Sequence, residues 1–153
     1  MKILENRVPP PAVMLLVAGA MWSADRLLPA LSTNYPGRVL IACLCAASGI
    51  LIALAGVFEF RRARTTVDPL HPERATAVVD GGIYQFTRNP MYLGMLLGLI
   101  GLTAFLANLL MPIGPVLFIL YINRFQIAPE ERALIGLFGD PYRAYLARVR
   151  RWI

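Results

Sequence analysis

The stretch GGIYQFTRNPMYLGMLLG, residues 81–98, changes from polar to strongly apolar within a few positions. Asn89 and Pro90 mark the change. Because Asn favours the N-cap and Pro the first helical position, a helix is predicted to begin at Pro90. The segment 84–92, which we call the polar knot, also places Tyr84, Arg88 and Tyr92 at the mouth of this helix. Polar side chains at the start of an apolar helix either stabilise the fold or bind a ligand.

The whole chain is unusually apolar. Of its 153 residues, 58% are hydrophobic and only 16% are charged, whereas soluble proteins carry about a quarter charged residues. This composition predicts an all-α integral membrane protein. The first apolar run is too long for a cleavable signal peptide and has no small-residue cleavage pattern, so we expect it to remain in the mature chain.

Four apolar segments predict about four transmembrane helices. The first two, residues 10–31 and 37–60, are each long enough to cross a hydrocarbon core of roughly 30 Å. The third runs from residue 90 to about 110, and the fourth from 111 to about 125. The break between these two is short and contains Pro112, Gly114 and Pro115, which predicts a helical hairpin.

The tail is predicted to form two short amphipathic helices in a single membrane domain that spans residues 1–153. Pro129 and the acidic pair that follows it fit the first turn of one helix, Gly139 ends it, and Asp140 with Pro141 begins the next. Within this domain, residues 10–60 would supply the first two transmembrane helices and residues 61–153 the half that carries a site.

The basic residues predict the orientation. Only Arg26 and Arg38 lie near the link between the first two segments, while the others lie on the opposite side, among them Lys2, Arg7, Arg61, Arg62, Arg64, Arg74 and the C-terminal arginines. Both termini and residues 61–89 are therefore expected to be cytoplasmic. The basic residues that give the net charge of +6 either only determine this topology or also bind anionic lipid headgroups.

Counting residues excludes several chemistries. The single histidine, His71, cannot form a His-rich metal site, and a hydrolytic triad built on it is remote. Cys43 and Cys45 point about 200° apart on a helix, so we expect neither a disulfide nor a metal site. No Gly-rich phosphate loop is present. The expected partners are membrane lipids and a membrane-partitioned small molecule, and no nucleic acid.

Two readings of the polar knot are open. The first-turn N–H groups of the helix, together with Arg88, would form an anion site, or the Asn89 side chain would cap those N–H groups itself. Tyr84 and Tyr92 would either face a cation or lie in an interfacial aromatic belt.

The helix that follows the knot has one face with almost no side chains. Pro90, Gly94, Gly98 and Gly101 recur at spacings of four, four and three. Helix packing of the small-xxx-small kind is the better interpretation for Gly98 and Gly101. Gly94 lies one turn from the knot, where we expect a ligand.

A longer series of residues resembles the isoprenylcysteine carboxyl methyltransferase family and the related phospholipid methyltransferases. The match covers roughly residues 60–153 in order and spacing, and its pieces are Val78-Val79, Gly81-Gly82-Ile83-Tyr84, Arg88-Asn89-Pro90-Met91-Tyr92-Leu93-Gly94, Glu130-Glu131, Leu134, Phe138-Gly139, Tyr142, Tyr145 and the terminal Arg-Trp-Ile.

The resemblance implies an S-adenosylmethionine-dependent methyltransferase with a lipid-like or prenylated acceptor. It assigns cofactor binding to Ala77, Val78, Val79, Tyr84, Arg88, Asn89, Pro90, Met91, Tyr92, Gly94, Glu130 and Glu131. Within that set, Tyr92 and Arg88 would align the methyl donor, and no metal is expected. Such a donor is already activated, so catalysis needs chiefly alignment and exclusion of water.

The chain departs from the family pattern where the acceptor would bind. The usual Arg-His-Pro is Arg88-Asn89-Pro90, a variant that resembles bacterial members of the family and so implies the inner membrane of a bacterium. The Arg expected four residues before Glu130 is Gln126. Gln126 and Arg124, the nearest basic residue, are the candidate substrate residues. A carboxylate acceptor needs no base, whereas an ammonium must lose a proton first, so the lack of a nearby His or Lys favours an anionic or softer acceptor.

Two other functions are open. A related membrane fold with a similar Phe-Gly, Tyr, Tyr tail reduces sterol-like double bonds with a nicotinamide cofactor, so a small lipid reductase is the enzymatic alternative. The other alternative is a non-catalytic membrane scaffold, in which Arg88, Asn89 and the glutamates serve only as caps and anchors.

Overall fold

The computed structural model describes residues 5, 7–64, 70–71 and 74–153, and this part of the chain is helical without any strand. Six α-helices follow one another: α1 Pro10–Leu27, α2 Arg38–Arg62, α3 Pro90–Leu106, α4 Ile113–Ile122, α5 Ala128–Phe138 and α6 Asp140–Arg148. Short 3-10 helices lie at Pro29–Leu31 and Gly82–Gln85, and a π-helical turn at Asn123–Ile127 joins α4 to α5. The predicted all-α class is confirmed.

Among the described helices, α2 has the length and composition needed to cross a membrane, and α3 is a shorter apolar helix. The prediction of four transmembrane helices is therefore not confirmed. The first segment divides because Pro29 interrupts it, so α1 has 18 residues and includes Asp25 and Arg26 near its end. Helix α4 has only 10 residues before the π turn.

Large apolar side chains cover the outside of the helical bundle. Leu16 on α1, Leu51 on α2 and Leu120 on α4 are 70%, 68% and 61% exposed. An apolar surface of this extent is far larger than a soluble monomer tolerates. Together with α2, it indicates a membrane environment. The orientation stays a prediction, and Lys2, on which it partly rests, lies outside the described residues.

Helices α2 and α3 pack with their backbones in close contact. An added Cβ at Gly49 would lie 2.6 Å from the carbonyl oxygen of Gly94, and one at Gly101 would lie 3.0 Å from that of Ala42. On another side of α3, an added Cβ at Gly98 would lie 2.9 Å from Met14 of α1. The packing role predicted for Gly98 and Gly101 is confirmed.

Gly94 also belongs to this contact, although the sequence placed it with the cofactor. An added Cβ at Gly94 would collide with the carbonyl oxygen of Gly49 and approach Ala53. The physical reason lies in α2, whose own glycines, Gly49 and Gly56, form the surface that receives α3 and Pro90.

The predicted hairpin between α3 and α4 is confirmed, and Asn108 secures it. Ala107 takes a left-handed conformation at the end of α3. The Asn108 Nδ2 group donates to Asp25 Oδ1 at 3.1 Å and to the carbonyl oxygen of Leu28 at 3.2 Å. The turn is thereby attached to the end of α1.

The fourth segment does not end near Phe125 as predicted. The backbone remains helical through Ile127 and Ala128, and α5 follows the π turn directly. Pro129 explains the local widening, because proline has no N–H to donate and its ring crowds the carbonyl four residues earlier. Glu130 and Glu131 therefore lie inside a continuous helical rod.

The two short C-terminal helices are confirmed, with Gly139 between them at a φ of 61°. Their apolar side chains form a second core, separate from that of the bundle. Its buried members are Tyr84, Tyr142, Tyr145 and Val149. This second core fastens α6 to the 3-10 helix Gly82–Gln85 that precedes the polar knot.

The glycine contact gives a stability prediction. Gly94→Ala is expected to lower the free energy of unfolding by about 1–3 kcal/mol, because the new methyl group meets the Gly49 carbonyl. Thermal unfolding of the detergent-solubilised protein measures the effect. Gly136→Ala is the matched control, since an added Cβ there meets nothing within 4 Å. Equal stability of the two variants would contradict the close backbone contact.

Candidate functional site

A cavity lies at the end of the bundle where α3 begins. About 870 Å³ of space free of protein atoms lies within it and at its mouth, because this volume includes the part open to the outside. Loop 75–79, the 3-10 helix, the first turn of α3, α5 and α6 form its walls. The lining residues are Phe60, Ala75, Ala77, Val78, Val79, Tyr84, Arg88, Asn89, Met91, Tyr92, Ile127, Glu130, Glu131, Leu134, Phe138, Tyr142 and Tyr145.

Glu130 is the central polar group of this cavity. Tyr92 from the first turn of α3 donates its O–H to Glu130 Oε1 at 2.5 Å. Gln126, from the π turn, donates its Nε2 group to the same oxygen at 3.0 Å. Burial raises the pKa of Glu130 to about 7; these two hydrogen bonds partly oppose the rise and the neighbouring Glu131 adds to it.

Glu131 holds two arginines at the edge of the cavity. Its carboxylate accepts from Arg151 Nη2 at 2.5 Å and lies 3.4 Å from Arg88 Nη2. Both Arg88 and Glu131 have largely buried side chains, at 13% and 14% exposure. The Arg88 Nε atom is buried and has no hydrogen-bond partner among the described residues. The cavity wall thus holds a cationic donor that is not fully used.

The C-terminal residues form a strap, residues 149–152, that crosses the polar knot. Asn89 Nδ2 donates to the carbonyl oxygen of Arg151 at 2.9 Å, and the Arg88 backbone N–H donates to that of Arg150 at 3.1 Å. Trp152 Nε1 donates to Asn123 Oδ1 at 3.1 Å. The predicted helix start at Pro90 is confirmed, but the Asn89 side chain makes no capping hydrogen bond and instead positions the strap.

Aromatic side chains make up much of the remaining wall. Tyr145 donates its hydroxyl to the carbonyl oxygen of Tyr84 at 2.9 Å, and Phe60 contacts the Tyr84 ring edge to face. Burial raises the pKa of Tyr84, Tyr142 and Tyr145 above the ordinary range of a phenol. These tyrosines stay neutral at physiological pH.

The structure brings most of the predicted cofactor residues to one cavity. Those in its lining are Ala77, Val78, Val79, Tyr84, Arg88, Asn89, Met91, Tyr92, Glu130 and Glu131. Pro90 and Gly94 are absent from the lining and pack against α2.

The two candidate substrate residues lie elsewhere. Arg124 is 47% exposed in its side chain and pairs with Glu5 at 3.0 Å, outside the lining. Gln126 is buried behind Glu130, which it orients.

Sequence reasoning did not assign several lining residues to the site. The resemblance includes Tyr142, Tyr145, Leu134 and Phe138 but implies no role for them. Phe60, Ala75 and Ile127 had no local signal, since apolar residues in apolar segments look alike. His71, Cys43 and Cys45 are absent from the lining of this cavity. No group of three metal-ligating side chains occurs among the described residues.

Fold and site together define a helical membrane-associated protein with a cleft that both polar and apolar side chains line. The sequence pattern of the phospholipid methyltransferase family matches residues 37–141. The chain belongs to this family.

Individual relatives agree with the family match. The chain is 30% identical over 119 residues to a probable protein-S-isoprenylcysteine O-methyltransferase of Oryza sativa, covering 76% of this chain and 58% of that protein. It is 43% identical over 70 residues to methanethiol S-methyltransferase 1 of Bradyrhizobium diazoefficiens, covering 44% of this chain and 22% of that protein. An uncharacterized Haemophilus influenzae protein is 52% identical over its entire length, 63 residues and 41% of this chain.

The chain spans about a fifth to three fifths of the length of the two named methyltransferases that it matches. No solved structure matches the chain.

The pKa of Glu130 gives a prediction for stability against pH. Its folded value, about 7, lies above the ordinary 4.5, so its contribution to stability is complete below about pH 4.5 and is lost as the pH rises through about 7. The loss is on the order of 3 kcal/mol at most. Glu130→Gln should flatten this part of the curve of melting temperature against pH. Asp140→Asn, which removes an exposed carboxylate, should leave it in place, and identical curves for Glu130→Gln and the unmodified protein would contradict the assignment.

The Tyr92 hydrogen bond gives a second prediction about Glu130. Because it stabilises the carboxylate, Tyr92→Phe is expected to raise the pKa of Glu130 further above about 7. The infrared carboxyl band of Glu130, identified by its loss in Glu130→Gln, measures the shift. Tyr145→Phe is the control, because its hydroxyl bonds the Tyr84 carbonyl. A fall in the pKa of Glu130 in Tyr92→Phe would refute the role of this hydrogen bond.

Proposed function

We propose that this protein is a membrane-embedded, S-adenosylmethionine-dependent methyltransferase with a lipid-like or membrane-partitioned acceptor. The observation that carries the proposal is the cavity at the start of α3, where Tyr92, Glu130 and Arg88 share a lining with many apolar and aromatic side chains. The named relatives support the reaction class, since one acts on isoprenylcysteine and another on methanethiol.

The residues in the cavity suit the methyl donor. Glu130 and Glu131 offer negative charge to its cationic groups, and Tyr84 and Tyr142 offer aromatic faces to a sulfonium. The unpartnered Arg88 Nε is a donor for its carboxylate. The apolar residues of loop 75–79 and of α5 suit the flat adenine ring.

Methyl transfer requires little from the protein beyond this arrangement of residues. When bound, S-adenosylmethionine supplies an activated methyl group on a positively charged sulfur. Tyr92 and Arg88 would fix the orientation of the donor, and the apolar lining would exclude water that competes with the acceptor. Because the cavity lies at the end of α2 that carries Arg61 and Arg62, a site on the cytoplasmic face agrees with the positive-inside rule.

Cofactor titration of the purified full chain tests this proposal. S-adenosylmethionine and S-adenosylhomocysteine are expected to raise the melting temperature in a concentration-dependent way, and a reduced nicotinamide nucleotide is not. Stabilisation by the nicotinamide alone would replace the proposal with a lipid reductase. No stabilisation by any of the three would leave a scaffold role.

Two arginine variants, one in the cavity wall and one outside it, test whether Arg88 belongs to the binding site. Arg88→Met is expected to weaken S-adenosylmethionine binding by about 10- to 100-fold, because it removes charged donors from the cavity wall. Arg148→Met is the matched control, since Arg148 is 64% exposed and pairs with Asp80 outside the cavity. Isothermal titration calorimetry measures both affinities. Equal affinities in the two variants would remove Arg88 from the site.

A further inference from the structure

We propose that the methyl acceptor is a membrane-partitioned thiol and that Glu130 accepts its proton. This inference rests on the proposed function and deepens it by naming the class of acceptor. It comes from the surroundings of Glu130, which differ from what an anionic acceptor requires.

The first step of the argument is the charge of the cavity. Two carboxylates, Glu130 and Glu131, line it, and Arg88 is the one cation among the described lining residues. Arg88 already lies 3.4 Å from Glu131. The remaining donor of Arg88, its Nε atom, is the one that the proposed function gives to the carboxylate of the methyl donor. A carboxylate acceptor would therefore bring a further negative charge beside Glu130 and Glu131, with no cation of the described lining left to pair with it, and like charges in a partly dry site repel strongly.

The second step is the position of Gln126. This residue is 1% exposed and donates to Glu130 Oε1 at 3.0 Å. The neutral amide orients Glu130 without neutralising it. Arg124, the basic residue closest to it in sequence, points away and pairs with Glu5. The side of the cavity formed by the π turn thus offers no positive charge to an acceptor.

The third step concerns the two oxygens of Glu130. The hydrogen bonds from Tyr92 and Gln126 both reach Oε1. This leaves Oε2 as the oxygen available to a bound molecule. Glu130 is held on one side and free to accept a proton on the other, which is the arrangement that a positioned general base requires.

The chemistry of the acceptor follows from that arrangement. The thiol sulfur forms a bond to the methyl carbon of the sulfonium donor. The bond from that carbon to the donor sulfur breaks, its electron pair remains on that sulfur, and the S–H proton moves to Glu130 Oε2. The products are a methyl thioether, a neutral donor remnant and a protonated Glu130, so charge and atoms balance.

A thiol of the cysteine type also suits the acidity of Glu130 better than an amine does. The pKa of Glu130 is about 7, whereas a cysteine-type thiol has a pKa of roughly 8.5 and an alkylammonium roughly 10.4. The titratable and charged groups that face Glu130 are Tyr92 of α3, Tyr84 of the 3-10 helix, Tyr142 of α6, and Glu131 beside it. None of these is a competing base, because the tyrosines are neutral and Glu131 is held by arginines.

A binding experiment without methyl donor gives the first test. A cysteine-type thiol, an N-acylated cysteine amide with a long acyl chain, and the fatty carboxylate of the same chain length are titrated into the full chain in nanodiscs at about pH 6 and about pH 8. Carboxylate binding is expected to weaken at least about tenfold at the higher pH, as Glu130 ionises, while thiol binding changes little. In Glu130→Gln the pH dependence of carboxylate binding should disappear, and in the exposed control Asp140→Asn it should persist.

A transfer experiment gives the second test, with S-adenosylmethionine and three acceptors: the cysteine-type thiol, a prenylated cysteine carboxylate and phosphatidylethanolamine. The thiol is expected to give the highest kcat/KM, and its kcat/KM should rise with pH through about 7. Glu130→Gln should lower kcat/KM for the thiol by about 10²–10⁴ and move the rise toward the thiol's own ionisation. Because Glu130 also lines the proposed donor site, the affinity of the variant for S-adenosylmethionine is measured first and the kinetics are taken at a saturating concentration of the donor, while the melting temperature establishes that the variant is folded.

The outcomes separate this inference from the proposed function. If the protein binds S-adenosylmethionine but prefers the carboxylate or the amine, or methylates no thiol, the thiol assignment is overturned and the methyltransferase stands. Unchanged thiol kinetics in Glu130→Gln overturn the role of Glu130. Absence of S-adenosylmethionine binding overturns the proposed function, and this inference with it.

Discussion

The close contact between the backbones of α2 and α3 sets the geometry of the rest of the molecule. Where Gly49 faces Gly94, neither helix has a side chain, and the two backbones meet directly. Within an apolar environment such packing is a main source of helix association, because burial of apolar surface brings little gain there. Since α3 is fixed along its length, its first turn is fixed as well, and with it Tyr92 and Met91 in the cavity wall.

The site combines three segments that are far apart in the sequence. The polar knot supplies the donors, the π turn and α5 supply the acids, and the strap crosses between them. Each connection is a specific hydrogen bond or ion pair, such as Tyr92 to Glu130 and Asn89 to the Arg151 carbonyl. Partly buried polar networks of this kind are costly when one partner is missing, so they favour a single arrangement of the three segments.

The sequence predicted the helices well where local chemistry decides their ends. Proline at residue 90, glycine at 139 and the Asp140-Pro141 pair each mark a helix boundary that the structure has. Local chemistry does not reveal contacts that a distant partner decides. Gly94 packs against Gly49 of α2, which no pattern around Gly94 indicates, and the Asn89 side chain does not cap α3 because its partner, the carbonyl oxygen of Arg151, lies 62 residues away.

At the site, the resemblance to the methyltransferase family identified residues whose role the local sequence did not decide. Glu130 and Glu131 read locally as ordinary first-turn acids, and only the folded chain brings one to Tyr92 and the other to Arg88. The apolar walls could not be foreseen, since nothing in an apolar segment distinguishes a residue that faces lipid from one that faces a cavity. Arg124 is the opposite case. It lies near Glu130 and Glu131 in sequence, but the helix directs its side chain away from the cavity.

The π turn at Asn123–Ile127 has a consequence for how this chain tolerates change. A wide turn places one more residue per turn than a regular helix does, so everything beyond it is rotated by about 100° with respect to α4. The direction in which Glu130 points is therefore set by the number of residues in this continuous helical segment. No loop lies between α4 and α5 that could compensate for an insertion or a deletion. Loss of a single residue here would swing the acids off the cavity while leaving the helix intact, a change of register that no side-chain substitution reproduces.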